Sequence, residues 1–142
     1  MMKFIFLLFL FGGSSTALLA QCSQESIRTQ ITNVTGRMEG IGYSMVYLTR
    51  CGSLSEGESA FHDIPLYAGT QYKVFAVCDG DCPDLDLKIY DSKGNLVDDD
   101  TLDDYTPILD VNPSSEMTYR AKVIMYDCDV EPCYYAIRVV GE

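Results

Sequence analysis

The residues of this chain that are best suited to metal binding or disulfide chemistry lie in one segment, VCDGDCPDLDLKIYD, from Val77 to Asp91. Two cysteines and five aspartates occur within its fifteen residues. This combination is typical either of a calcium site, whose ligands are oxygen atoms, or of a corner closed by a disulfide. The expectation is that no cofactor is bound, with calcium as the one alternative, and the candidate ligands for that alternative are Asp79, Asp81, Asp84 and Asp86.

The spacing of these aspartates departs from the regular calcium-binding loop of an EF-hand. When Asp79 is counted as the first ligand, the fifth position is Pro83 and the twelfth is Tyr90, where that loop needs a polar ligand and a glutamate. Five more aspartates lie within residues 98–104. The carboxylates would therefore repel one another unless they were hydrated or neutralised by a cation. Two interpretations therefore stay open, an irregular calcium site and a solvated acidic edge of a sheet.

The six cysteines predict three disulfides. An even number of cysteines in an exported chain is typical of a disulfide framework. Two pairs are four and five residues apart and flank the turn-like segments DGD and DVEP, so each pair is expected to close a local loop. A zinc site is disfavoured because these spacings differ from those of a zinc ribbon. The predicted bridges are Cys78–Cys82, Cys128–Cys133 and, from the two remaining cysteines, Cys22–Cys51.

Residues 1–20 predict export. The segment MMKFIFLLFLFGGSSTALLA combines Lys3, an apolar run and small residues, which is the pattern of a signal peptide cleaved after Ala20, with cleavage after Ala17 as the alternative. The apolar run is short for a membrane span, and Gln21 directly before Cys22 argues against a lipoprotein anchor. We expect a secreted or periplasmic protein that is not embedded in a membrane. A net charge of −11 argues against a nucleic-acid partner.

The rest of the chain predicts a helix over residues 21–41 and a β-sandwich over residues 42–142. Apolar residues recur with helical spacing between a possible cap, Ser23, and Gly40. From Gly42 onward the apolar period changes to two, in short segments separated by turn signals such as DSKGN and NPSS. The expected fold is mainly β, an antiparallel β-sandwich or jelly roll of about eight strands with one N-terminal amphipathic helix.

Three segments of the sandwich resemble bacterial pre-peptidase C-terminal (PPC) domains: LYAGTQY, DLDLKIYDSKGN and TYRAKV. The pairs CDGDC and CDVEPC are similar to those of small stand-alone exported variants. The resemblance covers residues 60–140 and implies a secreted jelly roll. Domains of that family accompany secreted proteases, and some bind collagen or polysaccharide, sometimes with calcium. For this chain we expect no attached peptidase, and we expect the N-terminal helix in place of the acidic linker that supplies calcium ligands in the collagen-binding relatives.

Residues suited to catalysis are few. His62 alternates with apolar residues on a predicted strand, which indicates a half-buried structural histidine, and oxidised cysteines leave no thiol nucleophile. Tyr90 and Tyr134 fall on outward strand faces, where tyrosines can contact a protein or glycan. We therefore expect a non-catalytic exported module that binds a protein or glycan or supports an extracellular assembly. The alternatives are a carboxylate-based secreted hydrolase and a purely structural exported protein.

Overall fold

The computed structural model describes residues 22–142. The predicted signal peptide and its cleavage point lie outside the described residues. Within that range one helix precedes eight strands. They are α1 (Glu25–Glu39), β1 (Met45–Leu54), β2 (Ser59–Leu66), β3 (Tyr72–Cys78), β4 (Asp84–Tyr90), β5 (Leu96–Asp100), β6 (Ile108–Val111), β7 (Met117–Asp127) and β8 (Cys133–Gly141).

The eight strands form two four-stranded antiparallel sheets that pack face to face. The strand order is β1-β8-β3-β6 in the first sheet and β2-β7-β4-β5 in the second. Consecutive strands alternate between the two sheets except at the β4–β5 hairpin, which is the arrangement of a jelly roll. The predicted fold class, an eight-stranded antiparallel sandwich with an N-terminal helix, is therefore confirmed.

The inner faces of the two sheets form the main core. Leu85, Leu87 and Ile89 of β4 are fully buried, as the two-residue period predicted. Tyr119 of β7 and Tyr135 of β8 are buried as well. Removing these apolar side chains from water, at about 25 cal/mol per Å², is the main force that holds the sheets together.

Helix α1 covers the outer face of the first sheet. Its apolar stripe forms a second, smaller core with residues of that sheet, which include Phe75 of β3 and Ala136 of β8. The N-cap is Gln24, one residue after the suggested Ser23 cap, and Gly40 is the C-cap, as expected. The buried residues of the stripe are Ile27, Ile31, Val34 and Met38.

The three disulfides join the pairs that the sequence predicted: Cys22–Cys51, Cys78–Cys82 and Cys128–Cys133. No cysteine of residues 22–142 is free. The first bridge ties the start of α1 to β1, and the other two close neighbouring loops, since Asp129 N donates to the Asp81 carbonyl across 2.8 Å. Three disulfides indicate an oxidising environment outside the cytoplasm.

The two edge strands β5 and β6 are joined by side-chain hydrogen bonds across the sandwich. Ile108 N donates to Asp100 Oδ2 at 3.0 Å, and Asp110 N donates to Asp98 Oδ2 at 2.9 Å. These aspartates therefore satisfy backbone amides that the end of a sheet leaves without a strand partner. Part of the predicted acidic edge has this structural role.

Candidate functional site

The outer face of the second sheet carries acidic, basic and aromatic side chains. Helix α1 packs on the first sheet, so it leaves this face open. Along β4 the outward positions change from acid to base to aromatic, in the order Asp84, Asp86, Lys88 and Tyr90. Two distinct surfaces therefore lie on one sheet face.

The first surface, which we call the basic platform, consists of Phe61, Tyr90, Arg120 and Lys122. Strand register places Phe61 of β2 beside Lys122 of β7, and Arg120 beside Tyr90 of β4. The Arg120 guanidinium carbon lies 4.6 Å from the centre of the Phe61 ring, and Lys122 Nζ lies 5.6 Å from it. Both distances are within the range of a cation–π interaction, so the ring holds two cations at the surface.

A shallow groove runs along the basic platform to the β4–β5 hairpin. Its polar lining includes Asp63, Ser92 and Thr118. Asp63 Oδ1 lies 3.7 Å from Arg120 Nε, an exposed ion pair that orients the guanidinium and adds little stability.

The hairpin that forms one wall of the groove is held by Asp91. Asp91 Oδ1 accepts hydrogen bonds from the amides of Lys93 and Asn95, both at 2.9 Å. The bonds from Asn95 are the main reason that the pKa of Asp91 is lowered. Gly94 has a φ of 85°, a left-handed conformation that glycine adopts without strain, in the turn that the segment DSKGN predicted.

The second surface, the acid pocket, lies at the opposite end of β4. Asp84 and Asp86 point outward from the sheet, yet only 5% and 7% of their surfaces are exposed. The β5–β6 connection covers them, since Leu85 N donates to the Asp104 carbonyl at 2.9 Å. The residues that line the pocket are Asp84, Asp86, Thr101, Asp103, Tyr126 and Asp127.

Burial and neighbouring negative charges perturb the two inner carboxyl groups. Burial is the main cause that raises the pKa of Asp84 to about 6, and the charges of Asp86 and Asp103 raise it further. The pKa of Asp86 is also raised, first by burial and then by the charge of Asp100. The surroundings of the pocket therefore disfavour the ionised form of both carboxyl groups.

The other two predicted calcium ligands lie elsewhere. Asp79 Oδ1 accepts a bond from Asp81 N at 3.1 Å, and Asp79 Oδ2 accepts one from Tyr134 N at 2.9 Å. Asp79 therefore caps the loop that the Cys78–Cys82 disulfide closes and ties it to β8. Asp81 is exposed in the same loop. The structure thus brings together Asp84 and Asp86 but not all four residues, and Asp79 belongs to a stapled corner.

Another cavity lies between helix α1 and this corner. Gln30, Asn33 and Arg37 of α1 line one side of it, and Asp79 and Tyr105 line the other. Its two sides are held together where Gln30 Nε2 donates to the Cys78 carbonyl. The cavity therefore marks the seam between the helix and the sandwich.

The remaining candidate residues take separate places. Tyr90 lines the groove, whereas Tyr134 lies on the first sheet and packs against the helix-covered core. His62 is half-buried and shares a 2.8 Å hydrogen bond between its Nε2 and the hydroxyl of Tyr135. The two tyrosines proposed for binding are therefore on different sheets, and the histidine is joined to the core.

The comparisons add no relative. No protein-family model matches the chain, and no curated protein matches it. The resemblance to PPC domains accordingly stays a prediction. Among residues 22–142 there is no helix of the length and apolarity that crossing a bilayer requires.

Sequence reasoning missed most residues of both surfaces. Phe61, Arg120 and Lys122 each occupy an outward position that strand alternation marks, but their meeting depends on the β2–β7 register. Asp127 reaches the acid pocket because it pairs with Asp84 across a bulge in β4 and β7. The alternation of residues within one strand does not show which residues of the neighbouring strands lie opposite them.

Proposed function

We propose that this protein is an exported, non-catalytic β-sandwich module that binds an acidic polysaccharide along the basic platform. The observation that carries the proposal is the Phe61 ring, which holds Arg120 and Lys122 beside an open groove. The chain has a net charge of −11 and only ten lysines and arginines. A cluster of basic side chains on one open face of such a chain therefore favours a binding role for that face.

Local charge can attract an acidic ligand although the whole protein is acidic. At physiological ionic strength, charges more than about 8 Å apart are largely screened from one another. Neighbouring strands are about 4.8 Å apart, so the cations of β7 and β4 act together on a ligand in the groove. The acid pocket lies at the other end of β4, beyond Lys88.

The groove suits a polysaccharide better than a protein partner. Its cations match carboxylate groups, and Asp63, Ser92 and Thr118 offer partners for sugar hydroxyls. Phe61 is half exposed and Tyr90 half buried, so the two rings offer apolar contact at the edge of the groove. A polyuronate, which has one carboxylate per sugar ring, presents this chemistry repeatedly along its length.

Binding can be measured by affinity electrophoresis in gels that contain polygalacturonate, with dextran as the uncharged probe and a chelator present throughout. We expect polygalacturonate to retard the wild-type protein and dextran to leave it unchanged. The double variant Arg120→Gln/Lys122→Gln should bind at least tenfold more weakly, a loss of about 1.4 kcal/mol.

The matched control is the double variant Arg28→Gln/Arg37→Gln, which also removes two exposed cations, here from the helix on the opposite side of the molecule. This variant should bind as the wild type does. Equal weakening of polygalacturonate binding in both variants would show that the retardation depends on net charge alone, and it would contradict the proposal. No retardation of the wild type would also reject it, in favour of a protein ligand or a purely structural role.

A carboxylate-based hydrolase is the second candidate, since Asp84 has the raised pKa that a general acid needs and Asp86 is its neighbour. Release of reducing ends from polygalacturonate by the wild type, and its loss in Asp84→Asn, would support that activity. We expect no release, because both carboxyl groups lie under the β5–β6 connection rather than in the groove.

A further inference from the structure

Asp84 and Asp86 each bury an oxygen that has no hydrogen-bond partner. Oδ1 of both residues is inaccessible to solvent and makes no hydrogen bond in the described structure. Both side chains are more than nine-tenths buried, and both line the acid pocket. A buried polar atom without a partner is costly, and a buried charge is more so. These two oxygens therefore point to a ligand of the pocket.

No positive charge of residues 22–142 forms an ion pair with these two groups. The two ion pairs found there join Lys73 to Asp110 and Arg120 to Asp63. Lys88 is the next outward residue on β4 and lowers the pKa of Asp86, but it follows burial and Asp100 in the size of its effect. The pocket therefore has an excess of negative charge that Lys88 offsets only in part.

The surrounding residues offer further oxygen atoms. Asp127 stands opposite Asp84 in the β4–β7 ladder, and Asp103 lies in the connection that covers the pocket. Thr101 adds a hydroxyl group to the same lining. Among the described residues no three acidic, histidine or cysteine side chains already converge around a point, so binding requires the outer groups to turn inward.

We propose that the acid pocket binds one calcium ion, with Asp84 and Asp86 as inner ligands and Asp103 and Asp127 as outer ligands. Calcium accepts six to eight oxygen ligands in flexible arrangements at about 2.3–2.6 Å, and it tolerates water among them. An exposed residue such as Asp103 can turn toward the ion at little cost, because no packed core surrounds it. The ion would link β4 and β7 to the β5–β6 connection.

Thermal unfolding of the purified mature protein tests the site in a chelator, in millimolar CaCl₂, and in NaCl of matched ionic strength. Calcium at about a hundred times its dissociation constant should raise the wild-type Tm by several degrees above the NaCl sample. Titration calorimetry should give one calcium ion per chain.

Asp84→Asn and Asp103→Asn test the two ligand classes. Both should lose most of the calcium-dependent rise in Tm. In chelator Asp84→Asn should melt at or above the wild-type temperature, because it removes a buried charge. Asp103→Asn changes an exposed loop residue, so it tests the site even where Asp84→Asn disturbs folding.

Asp99→Asn is the matched control, since it removes the same charge from an exposed position on neighbouring β5. It should keep the full response to calcium. The proposal is overturned if calcium does no more than NaCl, if the rise persists in Asp84→Asn and Asp103→Asn, or if Asp99→Asn weakens it equally. The binding of polygalacturonate is measured in chelator, so the two proposals can fail independently.

Discussion

At the residue scale, Gly52 shows how one missing side chain makes room for the core. Gly52 of β1 pairs directly with Tyr135 of β8, whose ring lies over the glycine. A Cβ atom at this position would stand 2.6 Å from the Tyr135 hydroxyl oxygen and 2.8 Å from the nearest ring carbons. Tyr135 is buried and bonded to His62, so it has little freedom to move aside.

Gly52→Ala should therefore destabilise the protein by about 1–3 kcal/mol, the usual cost of overpacking a core. Urea unfolding monitored by circular dichroism measures the change. Gly80→Ala is the control, because no atom lies within 4 Å of its added Cβ, and its stability should stay within about 0.5 kcal/mol of the wild type. Equal stability of Gly52→Ala and the wild type would show that the ring is free to shift.

At the element scale, a polar contact joins the two sheets through their core. His62 belongs to β2 of the second sheet and Tyr135 to β8 of the first, and their rings meet edge to face at 5.8 Å. Burial lowers the pKa of His62, the charge of Arg50 lowers it further, and Asp63 partly opposes both. The same burial raises the pKa of Tyr135 to about 12, so its hydroxyl stays protonated.

Because the folded state lowers the pKa of His62, the unfolded chain takes up a proton first as the pH falls. This contribution to stability is complete above about pH 6.5 and declines below it, by at most about 1.4 kcal/mol per pH unit. His62→Gln keeps a hydrogen-bonding group but does not titrate. Urea unfolding at pH 7.5, 6.5 and 5.5 should show that the wild type loses stability relative to His62→Gln as the pH falls. An equal dependence of stability on pH in the two proteins would contradict the lowered pKa of His62.

The elements themselves could be predicted because their signals are local. Helical spacing identified α1, alternation identified which residues of β4 face the core, and short cysteine spacings identified two loop bridges. Burial of Asp84 and Asp86 could not be predicted in this way. Alternation assigns both to the outward face correctly, but the return of the β5–β6 connection to β4, where Leu85 N donates to the Asp104 carbonyl, has no signal in the local pattern.

At the scale of the whole molecule, the helix decides which face is left for a ligand. The sequence predicted an N-terminal amphipathic helix, but the sheet on which it packs depends on the complete strand order. With α1 on the first sheet, Tyr134 is covered and Tyr90 stays on the open side. The basic platform follows from this arrangement, since β2, β7 and β4 are neighbours only in the folded sandwich.

The central claim, that the open face of the second sheet binds an acidic polysaccharide, is tested most directly by NMR chemical-shift mapping. Backbone amide spectra of the ¹⁵N-labelled protein are recorded in chelator while oligogalacturonate is added. The account predicts that the largest changes occur at Phe61, Tyr90, Arg120 and Lys122, with helix α1 unchanged. Changes that centre on the cavity between α1 and the 79–83 loop, or that spread evenly over the surface, would contradict it.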